Sequence, residues 1–293
     1  MGCPLGGEVY GLKMKIQLDH VTCCGGELAA MQRTFAEAGL AAEYGGVHSN
    51  GVTHMALLGF EDGSYLELIA PLKLGEAGDS PWGLLMLGEA GAGAWAVATA
   101  DIQAEVKRLR GLGIGATDPA MGRRRCPDGK MLEWQTASSG PGTAGALMPF
   151  VIQDRTPREW RAQPSASVKD IGVRGIAAVV LGVREIDTAG ELFRRTYGWE
   201  APAVEEHRDF GKTAHFTGTP VILAAPLQKD SWLAKRLETF GDCPAAFLLG
   251  TSQPRAAAER FKLSASEKWF GRDLAWFAGE EFRELKLGVI AAG

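Results

Sequence analysis

The sequence predicts an α+β protein built from four βαβββ modules that pair into two similar halves. Two observations predict it: a strand, a helix and three further strands recur four times, and one short segment is repeated. Residues 69–82, IAPLKLGEAGDSPW, and residues 223–232, LAAPLQKDSW, share Ala-Pro-Leu and then Asp-Ser before a Trp that opens a helix. Such self-similarity is typical of a duplicated architecture. Runs of three strands exclude a doubly wound sheet, which needs a helix between successive parallel strands.

The first module has the clearest pattern. Residues 16–23, IQLDHVTC, are rich in β-branched side chains and predict a strand. Apolar residues then recur at helical spacing until Gly39 stops the helix. Turn residues at 49–51 and 61–63 separate the strands that follow. The module therefore comprises a strand at 16–23, a helix at 28–38, and strands at 42–47, 52–60 and 65–70.

The same pattern predicts three more modules. In each, the order is one strand, one helix and three strands, as follows: 94–99, 102–109, 115–121, 131–136 and 147–152; then 175–182, 188–197, 201–207, 212–217 and 220–225; then 246–250, 254–262, 267–270, 273–277 and 282–290. We therefore predict an N-terminal extension at 1–14, a first domain at 15–160, a linker at 161–173 and a second domain at 174–293.

Composition excludes several classes of protein. The 293 residues carry a formal net charge of -4, whereas nucleic-acid binders usually present a basic stripe. No apolar run is long enough to span a bilayer. The five cysteines are irregularly spaced, which argues against a disulfide framework and for a reducing, cytoplasmic location. The glycine-rich GLGIG at 111–115 follows a helix rather than a strand, so it does not predict a dinucleotide site.

His20 on the first strand and Glu67 on the fourth are the main candidate site residues. Strand alternation puts Glu67 on one face and the apolar Leu66, Leu68 and Ala70 on the other, so Glu67 points away from the main core. A carboxylate in an apolar strand is costly to bury unless it is paired or metal-bound. Glu67 is thus either functional or paired with an arginine. His20 is either a ligand or pocket residue, or a strand histidine satisfied by the backbone.

Further candidates lie in the turns and the second module. His48 and His54 flank a Ser-Asn-Gly turn and either line a pocket or are exposed. Three arginines, Arg123, Arg124 and Arg125, precede a Pro-Asp-Gly turn; a planar guanidinium suits an anionic substrate, but a solvated hairpin arm is equally consistent. Trp134 is either an aromatic pocket wall or core.

This arrangement resembles the vicinal oxygen chelate superfamily, and more narrowly its glyoxalase-like domain family. The matching stretches lie within residues 18–154: LDHV at 18–21, GGVHSNGVTH at 45–54, YLELIAP at 65–71, RRRCPDGKMLEW at 123–134 and MPFVIQD at 148–154. The resemblance implies that two modules form a curved sheet around a cup holding a divalent metal such as Zn, Fe, Mn or Ni, with ligands from the first and last strands of each module.

Carried over residue by residue, the resemblance implies an incomplete ligand set. The first module offers His20 and Glu67, and the second offers Gln153, a weaker neutral donor. Ala94 takes the remaining ligand position and cannot bind metal. Catalytic metal sites usually show three protein ligands. In the second half, Ala177 or Ala178 and Ile222 take the corresponding positions, so that half is expected to be metal-free and supporting.

Three functions follow as hypotheses. The first is a metal-dependent lyase, isomerase or dioxygenase that acts on a small anionic oxygenated substrate, with Glu67 moving a proton. The second is a metal-free binding protein of the bleomycin-resistance kind, which Ala94 favours. The third is a metal-free isomerase or hydrolase that uses Glu67 as a general base. All three imply a small-molecule partner, and either a monomer or a homodimer.

Overall fold

The computed structural model describes residues 13–169, 172–279, 282 and 284–292. Within them the first sheet contains eight strands: β1 (Gln17–Cys24), β2 (Glu43–Val47), β3 (Thr53–Gly59), β4 (Tyr65–Pro71), β5 (Gly91–Ala98), β6 (Ala120–Arg125), β7 (Met131–Ala137) and β8 (Phe150–Asp154). The second sheet also contains eight: β9 (Val173–Gly182), β10 (Ala203–His207), β11 (Gly211–His215), β12 (Val221–Ala225), β13 (Cys243–Thr251), β14 (Glu267–Trp269), β15 (Arg272–Trp276) and β16 (Leu287–Ala291).

Helices connect the strands in the predicted places. The α-helices are α1 (Leu28–Glu37), α2 (Gly83–Leu87), α3 (Ile102–Gly111), α4 (Ile186–Tyr197), α5 (Trp232–Phe240) and α6 (Pro254–Phe261), and two 3-10 helices span Arg158–Trp160 and Ala166–Val168. Local chemistry fixes their ends: Asp101 accepts a hydrogen bond from the Ala104 amide (3.0 Å) at the start of α3, and Gly198, at φ 67°, ends α4. In the described part of the chain, no helix is both long and apolar enough to cross a membrane.

The strand order confirms the predicted fold class. It is β2-β3-β4-β1-β5-β8-β7-β6 in the first sheet and β10-β11-β12-β9-β13-β16-β15-β14 in the second. In each sheet two βαβββ modules meet along an antiparallel pair of first strands, β1 with β5 and β9 with β13. The first and last strands of a module pair in parallel, so side chains 45 residues apart, such as Thr22 and Glu67, stand side by side.

The first sheet curls until its two outer strands touch. His48, after β2, and Arg124, on β6, form an antiparallel bridge, and the Ser49 amide donates to the Arg123 carbonyl (3.1 Å). Strand β6 spans Ala120–Arg125 rather than the predicted 115–121. A tight turn follows Arg125, so β6 pairs with β7 as far as that turn. The three arginines therefore belong to a strand, and alternation separates their side chains.

The convex face of the first sheet is apolar, as the alternation in β4 predicts. Leu66, Leu68 and Ala70 are fully buried and belong to a core that is continuous through both halves and includes Trp95 and Phe193. The predicted domain boundaries, 15–160 and 174–293, remain predictions. Most of the predicted N-terminal extension lies outside the described residues.

A buried arginine ties the two sheets together and gives a test of the fold. Arg236 on α5 is 3% exposed and donates to the carbonyls of Ala90 (2.6 Å), Ala92 and Pro244, which belong to both halves. In Arg236→Met these buried acceptors lose a charged donor, so we expect the free energy of unfolding to fall by about 2–4 kcal/mol. Urea denaturation measures it. Arg194→Met, at an exposed pair with Glu191, is the control and should change little; equal losses would contradict the account.

Candidate active site

Alternate residues of the first sheet face a concave cavity of about 300 Å³, which we call the site cavity. The first module supplies His20, His48 and Glu67, and the second module supplies Arg124 together with apolar side chains such as Phe150. Its lining is His20, His48, Ser49, Asn50, Thr53, Met55, Tyr65, Glu67, Pro81, Trp82, Gly122, Arg123, Arg124, Trp134, Thr136, Ser138, Ala144, Phe150, Ile152 and Arg161. His20 and Glu67, 47 residues apart in sequence, therefore meet in one hollow.

Two imidazoles face the Glu67 carboxylate. Nε2 of His20 lies 3.7 Å from Oε2 of Glu67, and Nε2 of His48 lies 3.4 Å from Oε1. The Thr22 hydroxyl also donates to Oε2 (3.1 Å). Each carboxylate oxygen therefore has a different histidine as its neighbour. His20, His48 and Glu67 all line the site cavity.

Glu67 is held as a carboxylate although it is almost completely buried. Burial by itself raises its pKa, because a low dielectric disfavours the charged form. The close contact and charge of His48 oppose this, and the charges of His20 and Arg124 add to that effect, so the pKa falls to about 2. Glu67 is consequently a fixed negative charge at neutral pH and a weak Brønsted base.

The orientation of His20 is set by a buried group of charges, the Asp19 cluster (Asp19, Asp154, Arg158 and Arg161). Nδ1 of His20 lies 2.6 Å from Oδ1 of Asp19. Arg161 donates to both oxygens of Asp19, at 2.9 Å each, and to both oxygens of Asp154, at 2.7 and 2.9 Å. Arg158 also pairs with Asp19.

This cluster decides which ring nitrogen of His20 is free. Burial opposes the ionisation of Asp19, but the charge of Arg161 and the hydrogen bonds it receives hold its pKa well below its usual value. An ionised Asp19 only accepts hydrogen bonds, so Nδ1 of His20 carries the proton and donates it. In the neutral imidazole, the lone pair of Nε2 is then directed at Glu67 and the site cavity. Stacking on Tyr65, at 4.6 Å between ring centroids, fixes the ring plane.

Of the other predicted site residues, four lie at the site cavity, namely His48, Arg123, Arg124 and Trp134. His48 is held by a contact between its Nδ1 and the Thr53 hydroxyl (2.9 Å). Arg124 is 3% exposed and lines the cavity, as does Trp134. Arg125, the next residue of the same strand, is exposed and absent from the lining. Strand alternation thus selects Arg124 over Arg125.

The structure places His54 and Gln153 outside the cavity. His54 alternates with Thr53 and Met55 on β3, so its ring packs against Tyr44 instead, and burial lowers its pKa. The Gln153 amide is occupied at the start of α3, where it accepts from the Ile102 amide (3.2 Å) and donates to the Ala100 carbonyl (2.6 Å). The amide of Gln153 therefore lies away from His20 and Glu67 in this arrangement, and its role as a metal ligand stays a prediction.

Sheet register identifies the true counterparts of the first-module residues. Thr22 pairs with Ala94 and His20 with Ala96 across the pseudosymmetric β1–β5 contact, so Ala94 corresponds to His20, as the sequence predicts. Ala96 in turn pairs with Phe150, as Thr22 pairs with Glu67. Phe150, rather than Gln153, therefore corresponds to Glu67.

Arg161 and Phe150 are the residues that sequence reasoning missed. Arg161 falls at the start of the predicted linker, yet it is 5% exposed and holds the group that orients His20. The sequence does contain a signal for Arg161: Asp19 lies in an apolar strand, and a buried carboxylate needs a cation as its partner. Phe150 was missed because the expected ligand position on β8, Gln153, lies three residues further along the strand.

The corresponding face of the second sheet is filled by apolar side chains. Ala178 and Ile222 stand there at the positions of His20 and Glu67, and both are buried in an apolar cluster. Phe210, Trp269 and Trp276 fill the space between them and the outer strands. The second half therefore packs as a solid support at the place where the first half is hollow.

The donors around Glu67 are of the kinds that bind divalent ions, namely imidazole nitrogens and a carboxylate. His20 and His48, however, each contact a different oxygen of Glu67. Among residues 13–169, 172–279, 282 and 284–292 no three His, Cys, Asp or Glu side chains form a group that could hold a metal ion. The remaining positions hold Ala94 and Phe150. The residues present do not fit a metal centre in this arrangement.

Comparison with known proteins decides the family. The family model described as "Glyoxalase-like domain" matches residues 18–197, which is more than half of the chain. The chain belongs to this family. No curated protein matches the sequence. The glyoxalase-like match begins at the strand of His20 and ends with α4, so it includes every residue of the site cavity.

Solved structures share the fold of this glyoxalase-like protein. A hypothetical protein from Staphylococcus aureus superposes with a TM-score of 0.60 at 12% identity, covering 94% of this chain and 100% of the other. The Mn(II)-bound glyoxalase from Novosphingobium aromaticivorans gives 0.58 at 10%, covering 94% and 81%. A mutant of 4-hydroxymandelate synthase from Streptomyces coelicolor gives 0.58 at 11%, covering 94% and 92%. At such identities these likenesses show the vicinal oxygen chelate fold alone.

The Asp19 cluster yields a stability prediction. Arg161→Met removes the bidentate partner of Asp19 and leaves a buried carboxylate with only the partly exposed Arg158. Because breaking a buried ion pair from one side leaves a charge uncompensated, we expect a loss of about 3–5 kcal/mol in the free energy of unfolding. Chemical denaturation measures this. Arg110→Met, which breaks an exposed pair with Asp118, is the matched control; a loss no larger than the control's would contradict the assignment.

Proposed function

We propose that this glyoxalase-like protein is an enzyme that transfers a proton within a small anionic oxygenated substrate, as lyases and isomerases do. The observation that carries the proposal is the free Nε2 of His20, which Asp19 orients into the site cavity 3.7 Å from Glu67. A base fixed in its tautomer and open to a cavity is what general acid–base catalysis requires.

His20 and Glu67 have different roles in this proposal. Nε2 of His20 takes a proton from a substrate carbon next to a carbonyl group, and the electron pair of the broken bond moves onto the carbonyl oxygen. Glu67, whose pKa is about 2, is a poorer base; its negative charge stabilises the imidazolium that forms. Returning the proton to another carbon gives isomerisation, and expelling a neighbouring group gives elimination.

Exchange of hydrogen for deuterium tests this step without knowledge of the natural substrate. Small 2-oxo and 2-hydroxy acids and aldehydes are incubated with the protein in D2O, and NMR follows deuterium uptake at the carbon beside the carbonyl group. We expect exchange with at least one compound, and a loss of about 100-fold or more in His20→Gln and in Glu67→Gln.

His54→Gln is the matched control for that experiment, because His54 lies on the same sheet outside the cavity. It should exchange at the wild-type rate. If no compound exchanges although compounds of the same size bind, the cavity serves a binding protein of the bleomycin-resistance kind and the proposal is wrong.

A second candidate function is a metal-dependent lyase, isomerase or dioxygenase. It is favoured by one observation: Nδ1 of His20 and of His48 are each engaged, by Asp19 and Thr53, while both Nε2 atoms face Glu67. Metal-binding histidines usually have such a held second nitrogen. A divalent ion would polarise a substrate oxygen, but His20, His48 and Glu67 would have to move closer together to hold it.

Metal analysis of protein purified without chelator separates the two candidates. The proton-transfer proposal predicts exchange activity that survives when the ion content is well below one per chain. A stoichiometric Zn, Fe, Mn or Ni ion that disappears in His20→Ala and in Glu67→Ala, but not in His54→Ala, would establish the metal-dependent candidate instead.

A further inference from the structure

In the described part of the chain, Arg124 is a buried cation that forms no ion pair, although its charge acts on Glu67. It lies on β6, is 3% exposed, and its one hydrogen-bonding contact is between Nη1 and the sulfur of Met55 (2.8 Å). Among the described residues no carboxylate lies within ion-pair distance of its guanidinium. Arg161, the other buried arginine of the lining, is by contrast neutralised by two aspartates. Because burying an unpaired guanidinium is costly, Arg124 has donors available for an anion in the cavity.

The neighbouring backbone is shaped to admit this side chain. A Cβ atom at Gly45 would collide with Nη1 of Arg124 and with the sulfur of Met55. Gly46 has a φ of +121°, and a Cβ there would meet the Arg125 carbonyl oxygen at 2.5 Å. The two glycines of the GGVH segment therefore let β6 approach β2 and leave a channel for the guanidinium.

Another part of the lining of the site cavity is aromatic and rigid. Trp82 is fixed by a hydrogen bond from its Nε1 to the Ala144 carbonyl (2.9 Å), and its ring packs 5.9 Å from that of Phe150. Trp134 lies where a Cβ at Gly122 would collide with its ring. A cavity of about 150 Å³ accommodates benzene, so the 300 Å³ found here has room for one ring with a short arm.

We propose that the site cavity binds a small carboxylate with one aromatic or similarly flat apolar group, the carboxylate on Arg124 and the ring between Trp82, Trp134 and Phe150. This inference rests on the proposed function only in taking the cavity to be the substrate site. A planar guanidinium pairs with a carboxylate through two parallel hydrogen bonds, and aromatic rings stack or meet edge to face on the walls. The ligand's carboxylate thus supplies the anion that Arg124 lacks.

Phenylacetate and its uncharged amide, phenylacetamide, are the probes that test the proposal. Titration calorimetry should show phenylacetate binding at least tenfold more tightly than phenylacetamide. Arg124→Met should remove that difference by weakening phenylacetate alone. Arg125→Met is the matched control, since Arg125 is the adjacent exposed arginine of the same strand, and it should leave both affinities unchanged.

Gly45→Ala gives a second variant that keeps the arginine and displaces its guanidinium together with the Met55 sulfur. It should weaken phenylacetate and spare phenylacetamide, which separates loss of the anion contact from misfolding. Equal binding of acid and amide, absence of phenylacetate binding, or equal losses in Arg124→Met and Arg125→Met would each overturn the proposal. His20→Gln should still bind phenylacetate while losing deuterium exchange, so this inference and the proposed function can fail separately.

Discussion

The bidentate ion pair between Arg161 and Asp19 is the interaction on which the site depends. It joins the first strand to a segment 142 residues later, and both groups are almost completely buried. A lone charge in such a place would be expelled or neutralised, whereas the pair keeps Asp19 ionised. The ionised carboxylate fixes the His20 ring. A purely structural feature, the packing of the chain after β8 back onto β1, therefore sets the chemistry of the cavity.

The modules of the duplicated fold carry different side chains at equivalent positions. The fold offers equivalent positions on the first and last strand of every module, but only the first module fills them with His20 and Glu67. The second module has Ala94 and Phe150 there and provides an apolar wall. The second sheet has closed the equivalent space with large aromatic side chains. The reactive groups of the first module, with Arg124 and the apolar wall of the second, suit a substrate with one apolar group and one charged end.

Local patterns were sufficient to predict the fold and the meeting of His20 with Glu67. Period-2 alternation fixed the face of β4, and the repeated module fixed which strands pair. Contacts that depend on register between distant strands could not be predicted: the resemblance implies Gln153 as a ligand, whereas only the pairing of β5 with β8 shows that Phe150 stands at the position of Glu67. Arg124 could not be told from Arg125, because the predicted strand ended at residue 121, and only the observed strand Ala120–Arg125 shows which of the two alternating side chains faces the cavity.

The central claim is that Asp19 holds His20 with its proton on Nδ1 and its Nε2 free toward Glu67. Nitrogen-15 NMR of histidine-labelled protein at neutral pH measures this directly, with the His20 signals assigned from His20→Gln. The account predicts a protonated Nδ1 and an unprotonated Nε2 in the wild type, with the tautomer preference lost in Asp19→Asn. A His20 ring that carries its proton on Nε2, or exchanges freely between tautomers in the wild type, would contradict it.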